Sequence, residues 1–501
     1  MNKEIKTKIV QHKKSVIATA VACLLAGQVM ASDWKFSAGV SGKETYTDNV
    51  ALSPKATAKS DFITEVTPTF SAEKNGARLK VNATYSYQNL FYANDATRNT
   101  TYHQLDARSN AELFLNEIYL DTSASIRQAA TNPQGAVGTD NSSATGNITN
   151  VRTFTVSPYW LHRFGTYANL NARLTLSDVS YSGDTFQGST NTGTTLGLTS
   201  GSAFGDLNWG LNYSNQKNDY TGRPDTSNTT TSATVGYLVA PRIRWSVTGG
   251  YEQADFPHTG PAPEGTFYST GITWSVSERT KLDFGIGNHY YGTSGYLAFK
   301  TKGNYSEWTV DYNESVSTSN SDFGFNQNQT TSLGGVPLTL NRNTDVLTNQ
   351  VFLNKRFATA FSWKKGKNDF FVGASRSIQT TKIDTTVSTN GSITGGGLNL
   401  SGGSSNLFAN TDEVKQIGFN AGWKWQWTEH INTNVSANLN RYDYPSLNRQ
   451  DTFSSLELGL DRKFSPKLTG SVSLRRQVRD SNQHVNEYSE NALSASLGYK
   501  F

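Results

Sequence analysis

The chain has 501 residues, 45 Lys and Arg against 40 Asp and Glu, one cysteine and a mean hydropathy of −0.52. Charge this close to balance argues against a nucleic-acid binder or a strongly ion-selective pore. The low hydropathy excludes a helical membrane protein but not a β-barrel, in which only alternate residues meet lipid. A chain rich in Ser, Thr, Asn, Gly and Tyr also fits a secreted β-solenoid or a disordered tract, so the patterning has to decide.

The amino terminus reads as a secretory leader. Lys3, Lys6, Lys8, Lys13 and Lys14 form a basic region, residues 16–26 an apolar core, and Val29-Met30-Ala31 a small-residue cleavage site. Residues 1–31 are therefore expected to be a signal peptide, with the mature chain starting at Ser32 and carrying 40 basic against 39 acidic residues. A lipoprotein built on Cys23 is the weaker reading, because Ala20-Val21-Ala22 makes a poor lipobox. Cys23 is the only cysteine, so the mature chain has no disulfide, zinc-thiolate site or thiol nucleophile.

From Trp34 onward the sequence alternates with the period of a β-strand. Leu79, Val81, Ala83, Tyr85 and Tyr87 alternate with Lys80, Asn82, Thr84, Ser86 and Gln88. Ala168, Leu170, Ala172, Leu174 and Leu176 repeat the pattern, as do Ile417, Phe419, Ala421, Trp423, Trp425 and Trp427, and Leu456, Leu458 and Leu460. Short turns are expected near 74–77, 114–117, 163–166, 204–206, 240–242, 277–280, 304–307, 364–368, 427–430 and 465–467, with longer polar connections between them. The longest are 129–150, 319–350 and 382–411. All three read as solvated external loops in preference to folded constrictions. Alternation that begins at Trp34 leaves no room for an amino-terminal plug or a passenger domain.

The last strand has Leu493, Ala495, Leu497, Tyr499 and Phe501 on one face and Ser494, Ser496, Gly498 and Lys500 on the other. A free hydrophobic edge of that kind is a liability in a soluble domain, and closure of a barrel removes it. The fold expected is all-β: a transmembrane antiparallel up-and-down barrel of about 22 strands, with 18 to 22 compatible, over residues 32–501. Tyr499 and Phe501 resemble the terminal signal that outer-membrane barrels present to their assembly machinery.

No nucleophile elbow, zinc-protease helix or phosphate loop is present, and the histidines of the mature chain have no ligand spacing. No enzyme activity, cofactor or metal site is expected. His289, beside Asp283 on an inward face, reads as a hydrogen-bonded lumen residue before a catalytic one. Loop acids such as Asp140 and Asp322 read as solvated charge before calcium ligands. Trp160, Trp423, Trp425 and Trp427 read as interface residues, and Phe371 is among the few inward aromatics that could stack on a sugar. The candidate lumen charges are Glu65, Arg173, Arg244, Glu252, Glu457, Asp461, Arg475 and Arg479. Pairing of Glu457 and Asp461 with Arg475 and Arg479, bracing the wall, is the plainer reading of the last four; a hydrated path for a neutral or polar solute is the functional one.

Tyr46-Thr47-Asp48-Asn49-Val50 resembles the opening of a porin-like group of Gram-negative outer-membrane barrels. With residues 347–355 (Leu-Thr-Asn-Gln-Val-Phe-Leu-Asn-Lys) and the aromatic end, the chain resembles the outer-membrane proteins associated with the PEP-CTERM sorting system and exopolysaccharide production. No Pro-Glu-Pro sorting tail is present, so the resemblance implies a component alongside that system. It implies an outer-membrane location and passage of polar solutes, with export of polysaccharide as the finer expectation. The alternative is a non-conducting, structural or surface-attachment barrel whose loops hold matrix polymer. The partners implied are outer-membrane lipid, the barrel assembly machinery, and polysaccharide or export components; nucleic acid is not among them.

Overall fold

A computed structural model describes residues 34–132, 134–183, 186–221, 224–256, 262–318, 332–333, 336–337, 351–381 and 413–501. The expected signal peptide, Asp322, and the loops 319–350 and 382–411, apart from four residues, lie outside the described residues.

Twenty-two strands form one sheet. The first eight are β1 Trp34–Thr47, β2 Asp61–Asn75, β3 Leu79–Tyr92, β4 Thr100–Phe114, β5 Ile118–Ala130, β6 Ile148–Phe164, β7 Ala168–Tyr181 and β8 Ser189–Ser200. The next seven are β9 Leu207–Tyr220, β10 Thr226–Ala240, β11 Ile243–Asp255, β12 Glu264–Ser277, β13 Thr280–His289, β14 Gly292–Lys302 and β15 Ser306–Ser317. The last seven are β16 Phe352–Lys365, β17 Asn368–Thr381, β18 Glu413–Gln426, β19 Ile431–Tyr444, β20 Arg449–Lys463, β21 Leu468–Ser481 and β22 Tyr488–Lys500. Each pairs antiparallel with its neighbour in sequence, and β1 pairs with both β2 and β22. The sheet is therefore closed, and every strand has its backbone partners on both sides.

All ten short connections fall where the alternation breaks. Four of them contain a residue with positive φ: Asn116, Gly165, Gly205 and Gly366. Asn116 and Gly165, in successive short turns, take left-handed backbone with φ of 56° and 57°. Three ladders shift register beside their short turns, at Glu112/Phe114, Leu238/Ala240 and Trp274/Ser277.

The two faces differ as a barrel wall requires. One carries exposed apolar side chains, among them Phe70 at 50%, Leu458 at 43% and Leu497 at 58% exposure. The other is braced by hydroxyl pairs across strands: Thr69 with Ser86 at 3.1 Å, Thr155 with Ser177 at 3.0 Å, and Ser471 with Ser496 at 2.7 Å. Each such pair adds a few tenths to about 1 kcal/mol. All ten tryptophans of the chain lie at or beside the short-turn ends of their strands. Trp423, Trp425 and Trp427 stack in a run, with ring centroids 5.6 and 4.0 Å apart. An indole, apolar in body and polar at its N–H, belongs at such a boundary.

Candidate functional site

The connection between β5 and β6, residues 131–147, does not project into solvent as expected of the 129–150 loop. It touches β20, β21, β22, β1, β3 and β5 at once, and strands that far apart around a closed sheet can be bridged by a short segment only on the concave side. The loop therefore lies in the lumen. Asn147 clips its base: Oδ1 accepts from the Thr131 hydroxyl (2.6 Å) and the Asn132 N–H (2.8 Å), and Nδ2 donates to the Asn132 (2.6 Å) and Ala136 (3.0 Å) carbonyls.

Three groups of wall residues hold the loop. At its tip, Arg475 donates to Asp140 Oδ2 at 2.6 Å, and the Lys43 ammonium lies 3.5 Å from the same oxygen. Arg475 also grips Glu490 at 3.1 and 3.2 Å, and Gln477 donates to Glu490 as well. Lys43 reaches Glu65 at 3.4 Å. Burial raises the Asp140 carboxyl, but Arg475, Lys43 and the Ser142 hydroxyl outweigh burial and hold it well below the usual carboxylate range.

The second group grips the loop backbone. Arg479 donates to the Gln134 and Gly135 carbonyls, and Arg449 donates to Gln134 at 2.7 Å. Both guanidiniums pair with Asp451, at 2.7 and 3.0 Å. Arg449, Asp451 and Arg479 are all buried, so each charge needs its partner. The Tyr488 hydroxyl adds a bond to the Val137 carbonyl at 2.8 Å, and Ala136 packs on Leu52, Phe453 and Tyr488.

On the other flank Asn141 donates to Gln88 at 2.8 Å and Gln128 at 3.1 Å, and Tyr92 donates to the Ser142 carbonyl at 3.0 Å. The Ala144 N–H donates to the Val50 carbonyl at 2.8 Å. Residues 46–50 thus serve both the loop and the seam between first and last strands. The Thr47 hydroxyl donates to Glu490 at 2.8 Å, and Asp48 accepts from the Asn491 N–H (2.8 Å) and side-chain amide (2.7 Å). Asn49 Nδ2 donates to the Ser53 (2.7 Å) and Ser489 (3.0 Å) carbonyls. Thr47, Asn49 and Val50 are buried.

On the short-turn side of the loop a cavity of about 640 Å³ is lined by Lys80, Asn82, Arg108, Asn110, Asp121 and Arg173, among others. Arg173 bonds Asp121 at 2.8 Å and Ser157 at 2.9 Å, and lies 3.9 Å over the Tyr159 ring. Tyr159 stacks on Tyr119 at 5.1 Å. These two inward aromatics share the parity of Asp121 and Ser157, a signal the sequence reading passed over.

Glu65, Arg475 and Arg479 lie in the loop's anchorage and Arg173 lines the cavity. Arg244 sits near a short turn and donates to Asn208 at 2.7 Å. Glu252 is apart from both groups. Its carboxylate takes His289 at 2.9 Å and the Tyr290 N–H at 2.8 Å, while Phe267 and Tyr291 flank the imidazole, each with its centroid 5.0 Å away. His289 thus pairs with Glu252 and not with Asp283, which lies six residues back along the same strand, about 20 Å away. The expected bracing of Arg475 and Arg479 by Glu457 and Asp461 is also overturned. Glu457 stands opposite Arg475 in register, yet Asp140, Glu490 and Asp451 take the guanidiniums. Asp140 is correspondingly an ion-paired anchor and not a solvated loop charge. Phe371 points inward over Gly422, where an added Cβ would strike its ring. Tyr499 and Phe501 face outward, 5.3 Å apart, and the Phe501 N–H donates to the Ala38 carbonyl at 2.9 Å.

The molecule is thus a closed 22-stranded antiparallel β-barrel with the connection between β5 and β6 folded inside. No family model matches the chain, and no curated protein matches it. Solved structures similar to it include the FrpB iron transporter from Neisseria meningitidis (10% identity, TM-score 0.49, covering 95% of this chain and 82% of that one). The siderophore receptor PirA from Acinetobacter baumannii is similar at 8% identity and TM-score 0.42, with 94% and 81% covered. The outer membrane protein OpdK from Pseudomonas aeruginosa is similar at 11% identity and TM-score 0.34, with 93% and 99% covered. At these identities no function passes to this chain, and its barrel rests on its own strand pairing.

Proposed function

We propose that this chain is an outer-membrane barrel that gives passage to polar solutes through a lumen narrowed by residues 131–147. The observation that carries the reading is the polar inner wall with the loop tip tied to it through Asp140, Arg475 and Lys43. Hydroxyls, amides and closely balanced charges on that wall suit a neutral or zwitterionic solute better than a simple ion. Association with exopolysaccharide export, and with the PEP-CTERM system, is the finer form of the proposal and is supported by the resemblance of residues 46–50 and 347–355 with the aromatic end. The reading is non-enzymatic: both Glu252 oxygens are engaged, and His289 is held between two rings. Tyr499 and Phe501 are proposed as the mark read by the assembly machinery.

A second reading, a non-conducting structural barrel, is favoured by the number of bonds that fasten the loop. Planar-bilayer recordings separate the two. Passage predicts a stable conductance that rises when residues 135–146 are replaced by a short Gly-Ser link. Electrical silence in both proteins would overturn it and leave the structural reading.

A further inference from the structure

The outer wall of β17, β18 and β19 carries two arginines set among exposed apolar side chains. Arg376, Ile417 and Arg441 lie side by side in one cross-strand row. Side chains directly opposite one another across neighbouring strands point to the same face. Ile417 is 39% exposed, and Phe419 and Leu439 on the same face are also exposed, so the row lies on the outside of the barrel. Arg376 and Arg441 are both exposed. Two strand spacings place their Cα atoms about 10 Å apart. Neither makes a hydrogen bond or ion pair among the described residues. Among the other charges on this patch Lys415 pairs with Glu413 at 2.8 Å and Lys355 with Glu314 at 3.0 Å, and Asp443 stands opposite Lys415 in register.

Eight residues separate Ile417 from Trp425 on β18. At ~3.3 Å per residue and a tilt of about 40°, the arginine row stands ~20 Å from the tryptophan rim along the barrel axis. That is close to the height of an apolar band, so the two guanidiniums meet the headgroup layer at the long-loop end. A guanidinium there needs an anionic partner, and neither arginine is paired with a carboxylate of the described wall.

We infer that Arg376 and Arg441 form a binding site for the phosphates of a saccharolipid headgroup in the outer leaflet. The planar forks suit bidentate phosphate recognition, and the spacing allows one phosphate per guanidinium or one shared between them. The inference rests on the membrane reading but not on solute passage.

The test is lipid retention by the purified full barrel, measured by native mass spectrometry with bisphosphorylated lipid A and its dephosphorylated form. The wild-type protein is expected to retain the phosphorylated lipid about tenfold better. Arg376→Gln with Arg441→Gln should abolish that preference, and Arg376→Lys with Arg441→Lys should keep most of it. Equal retention of the two lipids by the wild-type barrel would overturn the assignment, with no variant required. So would an undiminished preference in the glutamine pair, or a preference erased by inorganic phosphate, which would mark a free-anion site. If the glutamine pair does not fold, the wild-type comparison and the lysine pair decide. Failure of the wild-type chain to fold in detergent would instead count against the membrane reading itself.

Discussion

Asp140 brings a carboxylate into the lumen, where Arg475 and Lys43 meet it. A charged hydrogen bond of this kind holds about 2 kcal/mol, so Asp140→Asn should raise the open population of the loop by about tenfold or more. Larger current fluctuations in single-channel records would report the change. The carboxyl is depressed by its cations, so the free loop takes up a proton near the ordinary value of about 3.9, above the value in the anchored loop. The anchor is then complete above about pH 4 and is lost as pH falls through the depressed value. Records taken between pH 8 and 5 should be alike, and a transition centred near neutrality would exclude Asp140 as the anchor. Arg479 is a different case, because it is buried between Asp451 and two loop carbonyls. Arg479→Met should cost about 3 kcal/mol in urea unfolding of the reconstituted barrel. A variant as stable as wild type would show those bonds to be incidental.

At the scale of the element, residues 46–50 join strand closure to loop placement. Asn49→Ala removes the bonds to the Ser53 and Ser489 carbonyls, both partly buried, at about 1 kcal/mol each. A lower temperature of loss of the fast-migrating folded band on unboiled gels would report it. An unchanged temperature would mean that the seam closes without Asn49. The strands and short turns were legible because period 2 fixes which side chains share a face, and a turn of a few residues allows only one pairing. Residues 296–304 and 351–364, where the alternation is weakest, fall on β14 and β16 except at 303–304 and 351. The loop's course was not legible. Asn, Ser, Thr and Gly suit a solvated loop and a polar lumen equally well, and its partners lie far off in sequence: Arg475 is 335 residues from Asp140. Tyr119 and Tyr159 escaped notice for a related reason, since aromatics near a short turn fit the outer rim as well as the inner wall.

For the whole molecule, the tryptophans at one rim and the unpaired arginines at the other give the barrel wall a direction. Closure of β1 on β22 satisfies the backbone across an apolar band. The chain should therefore migrate differently before and after boiling, with a strong β signal by circular dichroism. Identical mobility with little β signal would contradict the fold. The central claim is that residues 131–147 lie within that closed wall. Ser143 tests it cleanly, because it is 3% exposed and its hydroxyl has no partner, so Ser143→Cys gives up no bond. Val485, on a long-loop-side turn and 79% exposed, is the matching control. With Cys23 replaced, a membrane-impermeant maleimide on the folded barrel should label Val485→Cys rapidly and Ser143→Cys slowly, with Asp140→Asn speeding the second. Equal, rapid labelling at both positions would contradict the account.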